Sequence, residues 1–376
     1  MSESKLPSVV LIGKRRGAGK DTFALRLSRW LRHPHVMRFA GALKGTAFSN
    51  LGCVDAFYVR KDDNSRKVLI DCGTNSLERL GAWLYANQTI EAFNYAAAQH
   101  LSSSVLVVPD WRYHRELEAF IAGDLESQFG RPLSRLWNKI VLVWLRPVGG
   151  VRGGNDYIDK HPTEDESEME KIQDMIVRNS LSHKVFTLTV YVDYSSPKRV
   201  EETREKLNAA INTIRVVLGD QYTLAKPSSV KIYLATSITF ADGWSDCEYS
   251  INVLSHAASS HGLHIINSEM LLRRPSIVDL LKEGGIQEFS RQTVVRNHQM
   301  LAQSHAVVVD WRGAKLGIGV AEEMVLGKML AKPVVSIVDP NLRHIGVGLH
   351  PYIHYYSDLV TDDVHHAMRY ISELLD

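Results

Sequence analysis

Short runs of β-branched and aliphatic residues alternate along this chain with longer stretches whose apolar positions recur at helical spacing. Strands taking turns with amphipathic helices build a parallel sheet with helices on its faces, so the fold class expected is α/β. In the first half, SVVLIG (8–13) predicts a strand and KDTFALRLSRWLR (20–32) the helix after it, while SSVLVVPD (103–110) and NKIVLVWL (138–145) predict two more buried strands. Residues 147–171, PVGGVRGGNDYIDKHPTEDESEMEK, are too rich in glycine and acidic side chains to pack and predict a mobile loop or lid. SPKRVEETREKLNAAINTIRVVLG (196–219) predicts the helix that closes this half, and LAKPSS (224–229) a linker. The rhythm then restarts: VKIYLATSI (230–238), SHAVVVDW (304–311) and KPVVSIVDP (332–340) predict strands, with a helix at AEEMVLGKMLA (321–331). The boundary divides the chain into domains 1–225 and 226–376, and no internal repeat is evident.

Length agrees with that division, because 376 residues exceed what one core normally serves. Lys and Arg total 44 against 42 Asp and Glu, which removes any global field calling for nucleic acid. Small charged substrates remain compatible with that balance. Cys53, Cys72 and Cys247 stand far apart with no metal-ligand spacing, as expected of a reducing compartment without disulfides. The N-terminus has no secretory pattern, and no run of about eighteen apolar residues occurs. A cytoplasmic protein without a membrane partner is expected.

Chemistry concentrates in two places. In the first, strand 8–13 breaks into a Gly-rich turn, GKRRGAGK, before a helix opens at Lys20. A strand, a glycine turn and a helix beginning at Gly-Lys make a phosphate cradle, in which backbone N–H groups and the helix N-terminus face the anion and the lysine reaches the outer phosphates. Gly17, Gly19, Lys20, Asp21 and Thr22 are the cofactor-binding candidates, although Lys14 stands where the usual spacing puts its first glycine. Asp21 occupies the position of the common magnesium-binding hydroxyl, with Thr22 beside it. The plainer reading is a left-handed turn that needs glycine for its backbone alone.

With that loop, four further segments follow in order: FAGALK (39–44), CGTNSLERLGAWLY (72–85), VVPDWRYHRE (107–116) and HPTEDESEMEKIQDMIVRNSL (161–181). Together they resemble phage-type deoxynucleoside monophosphate kinases and, more loosely, animal phosphomevalonate kinases. The resemblance implies a P-loop kinase with a parallel sheet, using ATP and Mg2+ on a deoxynucleoside monophosphate. It also implies roles: Lys20 at the phosphates, Asp110 for magnesium or its waters, Arg79 and Arg112 for substrate phosphate with Arg112 catalytic, and Lys44 toward the acceptor. Each arginine could instead be a solvated surface charge.

The second place is GIGVAEEMVLGKMLAKPVV (317–335), where small residues precede Glu323, a helix and Lys332-Pro333. Gly319, Glu323 and Lys332-Pro333, with KIYLATSI before them, look like the nucleoside 2-deoxyribosyltransferase superfamily, which includes a deoxynucleoside 5′-monophosphate N-glycosidase. The resemblance covers about residues 230–340 and implies a Rossmann-like, doubly wound parallel sheet and a homo-oligomer formed through this domain. A carboxylate beside an anomeric carbon can stabilise an oxocarbenium-like sugar or form a glycosyl intermediate, which makes Glu323 the candidate nucleophile. Glu323, like Glu322, could instead serve only its helix N-terminus. Tyr233 aligns with a tyrosine lining the sugar site, or is simply a core tyrosine. The family's D-x-x-x-L-x-x-A-D pattern departs here to Asn297 and His305; Asn297 can hold a sugar hydroxyl but cannot act as a base. Monophosphate-specific members have serine where Gly317 stands and arginine where Thr239 stands, leaving phosphate to Ser237, backbone N–H groups or Lys315. The two halves together imply a bifunctional enzyme of deoxynucleotide metabolism. A regulatory second domain that only binds nucleotide, or a true deoxyribosyltransferase, are the alternatives.

Overall fold

In a computed structural model of the chain, the residues described are 6–13, 18–39, parts of 86–98 and 116–120, 101–111, 137–148, 167–178, 184–236, 244–267, 286–312, 318–339 apart from 331, and 351–375. They form two compact units that divide between Ser228 and Ser229. Each is an α/β unit built on its own five-stranded parallel sheet.

The first sheet runs in the order β2-β3-β1-β4-β5, with β1 Ser8–Gly13, β2 His33–Val36, β3 Ser104–Trp111, β4 Ile140–Pro147 and β5 Val185–Val192. β1 is buried along its whole length because its two faces meet different cores. Val9 and Leu11 join Leu106, Val108, Leu142 and Trp144 in one cluster; Val10 and Ile12 join Val105, Val107, Val141 and Val143 in the other. A strand buried on both faces must read as a continuous aliphatic run, which is why SVVLIG was legible. β5 is an edge strand whose threonines and exposed Tyr191 interrupt the run, and it escapes that criterion. α1 (Lys20–Ser28) and α3 (Pro197–Leu218) cover the second face through Phe23, Ala24 and Leu27, and through Leu207, Ile211 and Ile214.

Three expectations need correction here. α1 stops at Ser28 rather than 32, because the Arg32 N–H donates to the Tyr222 carbonyl and Leu31 bridges Thr223, capturing the chain before another turn forms. Most of the expected lid lies outside the described residues, but its last part, from Ser167, opens α2 (Ser167–Arg178), whose Ile172 is buried in the first cluster. The expected linker at 224–229 is strapped to its own unit as far as Ser228: Leu224 N–H meets the Trp30 carbonyl at 2.8 Å, and Ser228 N–H meets that of Arg29 at 2.7 Å. α3 is closed at both ends by local chemistry. The Ser196 hydroxyl accepts from the Arg199 N–H, Pro197 opens the helix, and Gly219 follows it at φ 85°.

The second sheet runs β10-β9-β8-β6-β7, with β6 Val230–Thr236, β7 Leu263–Ile266, β8 Ala306–Asp310, β9 Val334–Ile337 and β10 Leu359–Thr361. Counted within the unit the order is 2-1-3-4-5, a doubly wound arrangement whose ligand crevice lies outside the carboxyl ends of its first and third strands. Those strands are β6 and β8, and they end together, Thr236 beside Asp310. α4 (Trp244–Ser260) and α8 (Val364–Leu375) pack on each other and on strands β7, β9 and β10. On the other face, α5 (Ile286–Gln303), α6 (Ile318–Met329) and α7 (Pro351–Tyr356) bring Leu301, Val320, Met324 and Ile353 against Tyr233, Ala235, Val307, Val309 and Val334.

Candidate functional sites

In the first unit the carboxyl ends of β1, β3 and β4 converge: Gly13 pairs with Trp111 on one side and Trp144 on the other. A Cβ on Gly13 would stand 2.8 Å from the Trp111 ring, so only glycine lets the two strands end side by side. Gly19 follows in the left-handed region at φ 75°, and with Lys20, Asp21 and Thr22 it forms the N-terminus of α1. That turn gathers the first backbone N–H groups of α1 at one helix end, with Lys20 as its opening residue, an arrangement suited to an anion. Asp21 is turned aside: its carboxylate pairs with Arg38 at 2.6 Å. Asp110, at the end of β3, accepts the Phe39 N–H at 3.0 Å, tying the segment after β2 to this end of the sheet. Gly17, Lys44, Arg79 and Arg112 lie outside the described residues.

Two neighbours of this turn had no sequence signal. Arg38 is one, and Tyr194, just after β5, is the other; its hydroxyl approaches the Ala18 carbonyl at 3.5 Å. A Cβ on Gly19 would meet that hydroxyl at 2.6 Å. Burial pushes the Tyr194 phenol above its usual range, partly offset by nearby Arg26.

In the second unit, Tyr233, Asn297 and Glu323 are brought together from β6, α5 and α6. The Tyr233 hydroxyl donates to Glu323 Oε1 at 2.6 Å, and Asn297 Nδ2 donates to the same oxygen at 3.0 Å. Glu323 and Tyr233 are buried, and two donors on one carboxylate oxygen suit a charged acceptor. Glu322, one position earlier, is exposed and meets His298 Nε2 at 3.1 Å instead. Because Asn297 offers its NH2 to the carboxylate, its Oδ1 faces the other way, and that buried oxygen has no partner among the described residues. Gly319 lies exposed in the first turn of α6, and a Cβ there would meet nothing within 4 Å. Packing among the described residues therefore does not demand glycine at that position.

The framework around these groups is firm. Gly327, one turn after Glu323, lets α6 lie close on the sheet, since a Cβ there would come within 2.8 Å of Val307. Lys332 is buried, its ammonium donating to the carbonyls of Ala302, at 3.0 Å, and Ser304, at the end of α5. Burial lowers its pKa to about 8. His305 is a structural residue: its Nδ1 accepts the Lys231 N–H at 3.0 Å, which fixes the tautomer protonated on Nε2. Asp310, buried at the end of β8, takes Arg312 in a two-point pair at 2.9 and 2.9 Å, and sequence reading had passed over both. Ser237, Thr239, Lys315 and Gly317 lie outside the described residues.

Among the described residues no cluster of three His, Cys, Asp or Glu side chains could hold a metal ion, and no helix is long and apolar enough to cross a membrane. Asp110 is a single carboxylate whose Oδ1 accepts the Phe39 N–H, which fits magnesium only as a partner to an ion already carried by phosphates. No protein-family model matches the chain, and no curated protein matches it. Among solved structures, a sugar kinase from Janibacter sp. HTCC2649, determined without ligand, is 12% identical and aligns over 55% of this chain and 97% of its own, with a TM-score of 0.26. A likeness that slight carries no argument about either unit.

Proposed function

We propose that the chain is a bifunctional enzyme of deoxynucleotide metabolism: its second unit hydrolyses the N-glycosidic bond of a deoxynucleoside monophosphate, and its first unit phosphorylates one with ATP. The observation that carries the reading is the Tyr233–Glu323–Asn297 constellation, a buried carboxylate under two donors on the helical face of a sheet whose crevice opens between β6 and β8. In this reading Glu323 attacks the anomeric carbon as the bond to the base breaks, the base leaves with the bonding electron pair, and water then releases the sugar phosphate from the carboxylate. Tyr233 and Asn297 hold the attacking oxygen in place, and the Asn297 carbonyl, which has no partner among the described residues, receives a sugar hydroxyl.

In the first unit, Lys20 and the N-terminus of α1 hold the nucleotide phosphates, and Asp110 contributes to magnesium or its waters. When bound, Mg–ATP supplies the transferable phosphoryl group and neutralises its charge. The chain's own part is to position that charge and keep water away from it. Asn297 favours a second reading, in which the second unit binds nucleotide only as a regulator, because an amide cannot take a proton from water.

One set of incubations separates these readings. The protein is mixed with each deoxynucleoside monophosphate, with and without ATP and magnesium, and the products are resolved by chromatography. Free base without ATP supports the hydrolase, and diphosphate with ATP supports the kinase. Exchange onto an added second base would identify a deoxyribosyltransferase. Diphosphate without free base from any substrate would leave the second unit as a regulator.

A further inference from the structure

Next to Asn297 on α5 stands Arg296, and its surroundings are unusual. Its side chain is partly buried; Nε and Nη2 are out of reach of solvent, and neither has a hydrogen-bond partner among the described residues. A guanidinium is charged at every ordinary pH and carries five N–H donors. Withdrawing two of them from water with nothing to receive them is costly, and such an orphan in a folded protein asks for a missing partner. For a planar fork of two N–H groups, the fitting partner is a carboxylate or a phosphate.

Position narrows the choice. Successive helical residues project about 100° apart, so with His298 turned to Glu322, Arg296 lies on the opposite flank of Asn297. α5 packs on β6, whose carboxyl end borders the crevice. Two neighbouring residues of one helix thus offer complementary unfilled groups, an acceptor at Asn297 Oδ1 and a pair of cationic donors at Arg296. A sugar phosphate supplies the matching set, a hydroxyl to donate and an anion to accept, with the 5′-phosphate one sugar ring away from the anomeric carbon that Glu323 would face. We propose that Arg296 is the residue of the second unit that grips the substrate's 5′-phosphate and so selects nucleotides over nucleosides. The inference rests on the sugar-site reading of Glu323 and Asn297. It assigns to an arginine on α5 a task that the sequence had left to Ser237, Lys315 or backbone N–H groups.

The test needs a probe without a base and a readout local to α5. Amide hydrogen exchange of the peptides spanning 286–303 is followed in the full chain while 2-deoxyribose 5-phosphate, 2-deoxyribose or inorganic phosphate is titrated. The sugar phosphate should protect α5 at a concentration at least about tenfold lower than either of the others, as expected when a charge-assisted fork is made. Arg296→Met should erase that advantage, and Arg296→Lys, which keeps the charge but not the fork, should restore part of it. Equal half-saturating concentrations for sugar and sugar phosphate in the parent protein would overturn the proposal even if the variants fail to fold. So would protection by inorganic phosphate as effective as that by the sugar phosphate, or an advantage that survives Arg296→Met. Failure of the hydrolase reading looks different: α5 would be protected by the sugar phosphate while no base is released from any nucleotide. Base release with the same KM for nucleoside and monophosphate would leave the hydrolase standing and remove Arg296 from its phosphate.

Discussion

At Glu323 the carboxylate meets the Tyr233 hydroxyl and the Asn297 amide in a buried setting, whereas the Glu322 carboxylate stands at the surface beside His298. The pair is therefore a built-in control, with the same chemistry one residue apart and two different environments. Glu323→Gln keeps the shape and removes the nucleophile, so base release from a deoxynucleoside monophosphate should fall on the order of a thousandfold or more while substrate binding persists. Glu322→Gln loses only an exposed contact, and its rate should stay within about twofold of the parent, since such pairs contribute little. Steady-state chromatography of released base measures both. Equal rates for the two variants would remove Glu323 from the chemistry.

Elements matter because the site is assembled from a strand and two helices, and each helix is fixed by one unusual residue. For α6 that residue is Gly327, since a methyl group there would be driven into the fully buried Val307. Gly327→Ala should cost about 1–3 kcal/mol, the usual range for overpacking a tight contact. Chemical denaturation would read that loss, and base release should fall with it as Glu323 is displaced from Tyr233. For α5 the residue is Lys332, which closes the helix end through the carbonyls of Ala302 and Ser304. Burial holds its pKa near 8 in the folded protein, below the 10.5 of a free lysine. Between those values the unfolded chain binds the proton that the folded chain has lost, so this group makes stability rise as pH climbs from about 8 toward 10.5 and adds no slope below 8. Urea midpoints measured at pH 7 and pH 9.5 should show that rise in the parent protein. In Lys332→Met it should be absent, and a parent protein with no rise would mean that the amine is not held out of water.

Over the whole molecule, each unit has its own sheet and its own clusters, and the two candidate sites share no residue. Lys20→Ala should therefore abolish ATP-dependent diphosphate formation and leave base release unchanged, a separation that parallel assays on one preparation would reveal. The central strands could be read directly from the chain, because β1, β3, β4 and β8 lie between two covered faces and must be apolar at nearly every position. The glycine-lysine turn was equally plain, since a left-handed residue before a helix strongly favours glycine, and Gly19 adopts that conformation. Edge strands such as β5, and the early stop of α1, were not legible, because half-exposed strands carry mixed residues and the helix is ended by a partner almost two hundred positions away. The candidate site divides in the same manner. The sequence, through its family resemblance, marked Glu323, Tyr233 and Asn297 as separate candidates, and left open that Glu323, like Glu322, serves only its helix N-terminus. Only packing decided that a tyrosine ninety positions upstream would donate to Glu323, that Glu322 would turn to His298, that Asp21 would pair with Arg38, and that Nε and Nη2 of Arg296 would be enclosed with no partner among the described residues. The physical reason is that local pattern records which face of an element is apolar, whereas the pairing of polar groups depends on how helices settle on the sheet. That choice is made by contacts between residues far apart in the chain.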